Sequence, residues 1–296
     1  MQFDPTAKTL AEKLGFEADD RILIINADDA GMCHAENRAV IELMKNGLVT
    51  SSSIMACCKC FDEISDFAAE DSDTDFGVHL TQTCEWENLR WGGVADPLET
   101  AGLYAEDGFF QTTVDDVYRN STPDEAEIES RAQIEKCLAA GIDISHLDSH
   151  MGTMQYDVKY HEVYQRLAKE YSLPVRMASR EILDTHGAGF LRDSLHADGI
   201  ICTDYMIYGG RGETESVVDY WLRMIGELKP GVTELFIHPA VPGDEIRSIM
   251  QDWETRTEEY RLFADSGEIA QLLEKLRVKL IGYRPLRALQ RIMNET

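Results

Sequence analysis

The sequence contains no apolar run longer than several residues, and Met1 to Leu14 carries charges and a proline where an export peptide would be uninterruptedly apolar. A membrane-spanning helix takes about 20 apolar residues, so neither a span nor an export signal is expected, and no membrane partner. Cationic residues are also scarce: 28 Lys and Arg stand against 54 Asp and Glu, a formal charge of −26. Coating a nucleic acid needs a basic footprint that this chain lacks, and the same charge repels polyanionic substrates at long range. The seven cysteines are an odd number scattered through a long chain, which argues against a disulfide framework and for a reducing, cytoplasmic setting. Cys57, Cys58 and Cys60 are too compressed for the paired C-x-x-C knuckle of a tetrahedral zinc site. Following a strand-like run, they read as buried free thiols. Neither G-x-G-x-x-G nor G-x-x-x-x-G-K-[ST] follows the first strand, which removes two common nucleotide-binding folds.

What remains is ordinary globular material. Hydrophobic residues make up 44% and aromatics 8%, too apolar for a disordered acidic chain, so a packed core is expected. No linker, repeat or composition break divides the chain, and residues 1–296 read as a single domain of a size common among α/β barrels. From Arg21 onward a short apolar strand, a turn and an amphipathic helix recur, as in parallel βαβ construction. Strands are predicted at Ile22 to Asn26, Val49 to Ala56, Phe76 to Leu80, Ile144 to Leu147, Pro174 to Met177 and Thr233 to His238. Weak strands lie around Ile200 and Met206, in an ambiguous stretch from Phe190 to Tyr208. Thr122-Pro123-Asp124-Glu125 is a helix start with Thr as cap, Pro at the first helical position and Glu three residues after the cap. Residues 81–120 hold two tryptophans, several glycines and no sustained period, so they form a long loop or insertion, and the C-terminal third is helical. About seven parallel, helix-separated strands favour a distorted, TIM-like (β/α) barrel over an open doubly wound sheet.

Several of these strands end in groups unsuited to a core: Asn26-Ala27-Asp28-Asp29, His79, His146-Leu147-Asp148-Ser149-His150 and His238. In a parallel barrel the C-terminal strand ends converge on one face, where these segments would meet. Consecutive carboxylates point opposite ways from an extended chain, so Asp28 and Asp29 are expected to take separate roles. One carboxylate with two imidazoles suits a catalytic divalent ion that keeps positions open for water and substrate. The other carboxylate could then serve as base for the bound water. Plainer readings exist for each part. An Asp-Asp pair also caps helices, and a lone His79 in an apolar strand can be a satisfied core group. His146, Asp148 and His150 recur at period two, and titratable groups crowded on one side are costly without a metal or a hydrogen-bond network. His238 could be a ligand, an acid for a leaving group or inert. Arg176 could hold a site carboxylate, bind an anionic substrate group or form an ordinary ion pair. Trp86 and Trp91 could face a sugar ring or simply pin their loop.

Five ordered segments resemble the motifs of the YdjC-like carbohydrate deacetylases: Ile25-Asn26-Ala27-Asp28-Asp29-Ala30-Gly31, Asn46-Gly47-Leu48-Val49-Thr50-Ser51, Gly77-Val78-His79-Leu80-Thr81, His146-Leu147-Asp148-Ser149-His150 and Glu234-Leu235-Phe236-Ile237-His238-Pro239. The match runs in order from about residue 21 to 265. Five motifs in sequence are specific where one would not be. The resemblance implies a distorted barrel related to polysaccharide deacetylases, a divalent metal, and hydrolysis of an N-acetyl group from an amino sugar. It implies Asp29, His79 and His150 as metal ligands, Asp28 as base and His238 as a candidate acid; the residues themselves leave Arg176, Trp86, Trp91, His146 and Asp148 as substrate-side candidates. Glu85 to Gly92, and Trp253 with Arg256 and Glu259, also resemble a subgroup of the family. Ala30 stands where the family often has phenylalanine, and Met151-Gly152-Thr153-Met154 stands where it often continues with histidines.

The expected reaction is metal-assisted amide hydrolysis of a small carbohydrate, releasing acetate and a free amine. The resemblance suggests magnesium, while an Asp-His-His set also accepts manganese, cobalt or zinc. A phosphoesterase or other hydrolase on the same barrel would need more cations near the site, and a non-catalytic sugar-binding protein would use the tryptophans alone. A homo-oligomer is compatible with the sequence.

Overall fold

The computed structural model describes residues 3–71, 73–207, 209–264 and 267–295, so Tyr208 and residue 265, each the end of a stretch delimited above, lie outside the described residues. Seven strands form one sheet: β1 (Arg21–Ala30), β2 (Ser51–Ile54), β3 (Phe76–Leu80), β4 (Ile144–Ser149), β5 (Tyr205–Ile207), β6 (Gly231–Ile237) and β7 (Lys279–Leu280). Their order is β4-β3-β2-β1-β6-β5, with β7 beside β1, and every pairing is parallel. β1 is buried along nearly its whole length, as a strand covered on both faces must be. Its side chains alternate. Leu23 and Ile25 join the main core, while Ile22 and Ile24 join a second cluster with Val232 and with Leu286 and Leu289 of the C-terminal helix Arg284–Asn294.

Closure of the barrel is irregular. The predicted strand at Pro174 to Met177 is reduced to one bridge, Leu147 to Val175. Val175 N–H then donates to the Ile201 carbonyl at 2.9 Å, and Tyr205–Ile207 pairs with β6. Single bonded residues thus carry the circuit from β4 round to β5, which is the distortion; Pro174, having no N–H, cannot extend the ladder. β7 was not foreseen, being two exposed residues long.

The long connection after β3 is shorter than expected, because residues 114–120 are helical. Local bonds tie the rest to the barrel wall. Thr83 bridges Gln111, the Trp91 indole donates to the Thr83 carbonyl at 2.8 Å, and the Glu129 carboxylate accepts the Val94 and Ala95 N–H groups. Glu129 lies on the helix Pro123–Ala139, which begins with the predicted capping box. Among the described residues no helix is long and apolar enough to cross a membrane.

Candidate metal centre and active site

The C-terminal ends of β1, β3, β4 and β6 converge on a cavity of about 260 Å³ lined by Asp28, Asp29, His79, His150, Arg176 and His238, among others. Asp28 and Asp29 both reach it, contrary to the alternation expected of an extended strand. Asp29 has φ 65°, and the β1–β2 register shifts between Ala27 and Ala30. A left-handed residue at a bulge re-aims the chain, and aspartate tolerates that region better than most residues.

Asp29 Oδ1 stands 3.4 Å from His79 Nε2 and 3.3 Å from His150 Nδ1. That oxygen is buried and accepts no hydrogen bond among the described residues. Its partner Oδ2 accepts from Arg256 Nη1 at 2.9 Å. The carboxylate therefore offers one oxygen to the two imidazoles and gives the other to a guanidinium. Burial opposes its ionisation, yet His150, His238, His79 and Arg256 together hold Asp29 well below the usual carboxylate range.

Both imidazoles are oriented from behind. His79 Nδ1 lies 2.7 Å from Asp148 Oδ1, and Ser53 Oγ donates to Asp148 Oδ2 at 2.7 Å. His150 Nε2 lies 2.9 Å from Glu85 Oε2. Carboxylates at the far nitrogen fix ring orientation and tautomer, as in metal-ligating histidines. Against the opposing effect of burial, Asp148 and Asp29 raise His79 to about 9. Glu85 and Asp29 likewise raise His150 well above its ordinary value. The donor set of one carboxylate oxygen and two imidazole nitrogens, all within 4.8 Å of one another, fits a divalent ion.

Asp28 sits opposite. Arg176 grips it with two nitrogens, at 2.6 and 2.7 Å, while the Asn26 amide donates to Oδ1 at 2.8 Å. His238 Nε2 is 4.0 Å from both Asp28 Oδ2 and Asp29 Oδ2, and its side chain is 34% exposed. Burial in the cavity pushes its imidazole below the ordinary value, against the pull of Asp29, which leaves it neutral at neutral pH.

The substrate-side candidates divide. Arg176 does line the cavity, but its nitrogens are engaged by Asp28, Asp148 and Glu234, so it is a carboxylate clamp, the first of the three roles open to it. Asp148 is fully buried behind His79. His146 is not at the cavity: fully buried, it stacks on Tyr283 at 3.9 Å between ring centres, and burial pushes it down to about 3. Its ring fills the space a side chain on Gly77 would need, which accounts for that glycine. Trp91 is buried and packs edge-on against His150 at 6.0 Å, pinning the loop. Trp86, partly buried, lines a neighbouring groove of about 530 Å³ with Trp253 and Arg247; Glu85 belongs to both spaces.

Sequence reasoning had no role for Arg256 or Glu36. Arg256, from the helix Trp253–Phe263, bridges Asp29 Oδ2 and Glu36 Oε1, the latter at 2.5 Å. Burial pushes Glu36 well above the carboxylate range in spite of Arg256. The subgroup resemblance names Arg256, with Trp253 and Glu259, but gives it no role, and nothing in the sequence points at Glu36. The cysteine reading needs amendment too: all seven are free, but Cys57 and Cys60 are only partly buried.

The chain as a whole is similar to known proteins. The chain is 28% identical over 268 residues to a carbohydrate deacetylase of Thermoanaerobacter pseudethanolicus, covering 90% of this chain and 100% of the relative. It is 30% identical to a carbohydrate deacetylase of Listeria monocytogenes serotype 4b, covering 89% and 99%. A crystal structure from Enterococcus faecalis V583, described as a candidate cellobiose-phosphate cleavage protein, superposes with a TM-score of 0.76 at 26% identity, over 90% of this chain and 99% of that one. The family model for YdjC-like proteins matches residues 22–275, and the chain belongs to that family.

Proposed function

We propose that this chain is a metal-dependent carbohydrate deacetylase, hydrolysing the N-acetyl group of an amino sugar or short oligosaccharide within a single domain. The observation that carries the reading is Asp29 Oδ1, a buried anionic oxygen without a hydrogen bond and flanked by two imidazole nitrogens. Arg256 balances the carboxylate from Oδ2, but a buried oxygen left without a hydrogen bond is costly, and a cation between it and the imidazoles would complete it. Asp29, His79 and His150 would hold a divalent ion that, when bound, supplies Lewis acidity for the attacking water and the acetyl oxygen.

The chain's own groups do the rest. Asp28, fixed by Arg176 and Asn26, presents Oδ2 to the attacking water and takes its proton. His238, neutral beforehand and 4.0 Å from that same oxygen, can pass a proton on to the departing amine, which cannot leave as an anion. Asp148 and Glu85 keep the ligand rings in register. The cavity's two guanidinia are already bound to carboxylates, which disfavours a phosphoester substrate, whose charge would need free cations. Seven free cysteines suit a reducing compartment.

Acetate release across a panel of N-acetylated mono- and disaccharides, with metal analysis alongside, tests the reading. Asp28→Asn should keep the metal and lose about 10²–10⁴ in kcat, whereas His79→Ala should lose both. An Asp28→Asn enzyme with undiminished turnover removes Asp28 from the mechanism, and a wild-type protein that binds no divalent ion removes the reading.

A further inference from the structure

Outside the cavity, His34, Cys60 and Glu63 bring an imidazole nitrogen, a thiol and a carboxylate oxygen within 4.8 Å of one another. His34 opens the helix His34–Asn46, while Cys60 and Glu63 stand at the start of Phe61–Glu70. His34 Nδ1 is 2.8 Å from Glu63 Oε2. Ligands about 2.0–2.3 Å from a tetrahedral ion stand about 3.3–3.8 Å apart, so these atoms need only small movements to share one.

Asn37 holds the cluster from behind. Its Nδ2 donates to Glu63 Oε2 at 2.8 Å and to the Cys60 carbonyl at 2.9 Å. Its Oδ1 accepts Gly31 N–H at 2.7 Å. A plain surface ion pair needs neither the thiol nor this clamp, whereas a ligand set requires its donors oriented. The His34 side chain is 66% exposed, leaving an entry path and a fourth position for water.

We propose that His34, Cys60 and Glu63 form a second divalent-ion site, thiolate-containing and zinc-class, separate from the cavity of Asp29. Sulfur among the donors favours zinc or cobalt over magnesium or calcium. Through Asn37 the ion is joined to Gly31, whose φ of 99° turns the chain just beyond Asp29, so occupancy stiffens that turn.

Cobalt(II) titrated into the metal-stripped full chain reads this site selectively. A thiolate ligand gives a near-ultraviolet charge-transfer band that the sulfur-free set of Asp29, His79 and His150 cannot give. The band should saturate by two equivalents per chain, since the cavity takes up cobalt alongside, bleach on adding zinc and vanish in Cys60→Ser, which still takes up cobalt at the cavity. His34→Ala should weaken it by about tenfold or more in affinity, while His79→Ala leaves it in place. No band at millimolar cobalt, or a band that survives Cys60→Ser, overturns the proposal. Because the cavity contributes nothing to this band, failure of one site says nothing about the other.

Discussion

Arg256 neutralises Asp29 from a helix 227 positions further along the chain, in a place where water cannot substitute for it. Removing one member of a buried ion pair leaves the other uncompensated, typically at about 3–5 kcal/mol. Arg256→Met in the metal-free protein should therefore lose stability of that order, seen as a lower denaturation midpoint in urea with an unchanged slope. A loss within the noise of the measurement would mean that Asp29 is neutral there. Glu85 acts on the other side of the site, where it accepts from His150 while 22% exposed. Glu85→Gln should weaken metal affinity by about 10- to 100-fold, as loss of such an orienting carboxylate does, with the fold intact by circular dichroism. At this scale the sequence was legible for groups at strand ends, because Asp28, Asp29, His79 and His150 are polar where the strand pattern calls for apolar residues. It was silent about partners. Nothing local to Arg256 announces Asp29, and His146 and Asp148 share a spacing but not a fate: one is stacked on Tyr283, the other is bonded to His79.

The helix Pro123–Ala139 shows what becomes visible at the next scale. Thr122, Pro123 and Glu125 form a capping box within four residues, and the structure contains it: Glu125 N–H donates to Thr122 Oγ1 at 3.3 Å, and Thr122 N–H to Glu125 Oε2 at 2.8 Å. A motif that short depends only on neighbouring residues, which is why it can be read directly. Glu125 has a second duty that cannot be read so: its Oε1 accepts the Gly102 N–H at 2.7 Å, tying the connection after β3 to the helix. Thr122→Ala should cost about 1 kcal/mol through the cap alone. Glu125→Ala should cost at least as much and also speed proteolytic cleavage within residues 94–113, whereas equal cleavage in the two variants would confine Glu125 to capping. The same locality explains the strands. β1, β3 and β6 are apolar runs bounded by turns, while the segment at Pro174 pairs through its backbone with Leu147 and Ile201, and β7 is too short to carry a pattern.

Taken as one molecule, the chain couples its stability to proton and metal at the same residues. In the metal-free protein His79 is raised to about 9, with burial opposed by Asp148 and Asp29. Its protonated form therefore stabilises the fold fully below its unfolded value of about 6.5 and ceases to do so as pH climbs through 9. His150, also raised, acts in the same direction. Glu234 and Glu259, both pushed up to about 7 by burial, lose stability as pH rises towards 7 whether or not an ion is bound. A bound ion requires neutral imidazoles, so it removes the histidine contribution and replaces it with binding energy, about 2.7 kcal/mol at a hundredfold excess over Kd. Thermal melting with chelator and with saturating metal should then give two curves against pH. Between pH 7 and 9.5 the chelated protein's Tm falls more steeply, and the gap between the curves, roughly 5 °C at such an excess, widens with pH because metal no longer competes with protons. The buried glutamates enter both curves alike and cancel in the gap. A gap that stays constant across that range would mean the imidazoles carry no protons for the metal to displace, and with them would go the account of Asp29 as an anion held between two protonated rings until a cation arrives.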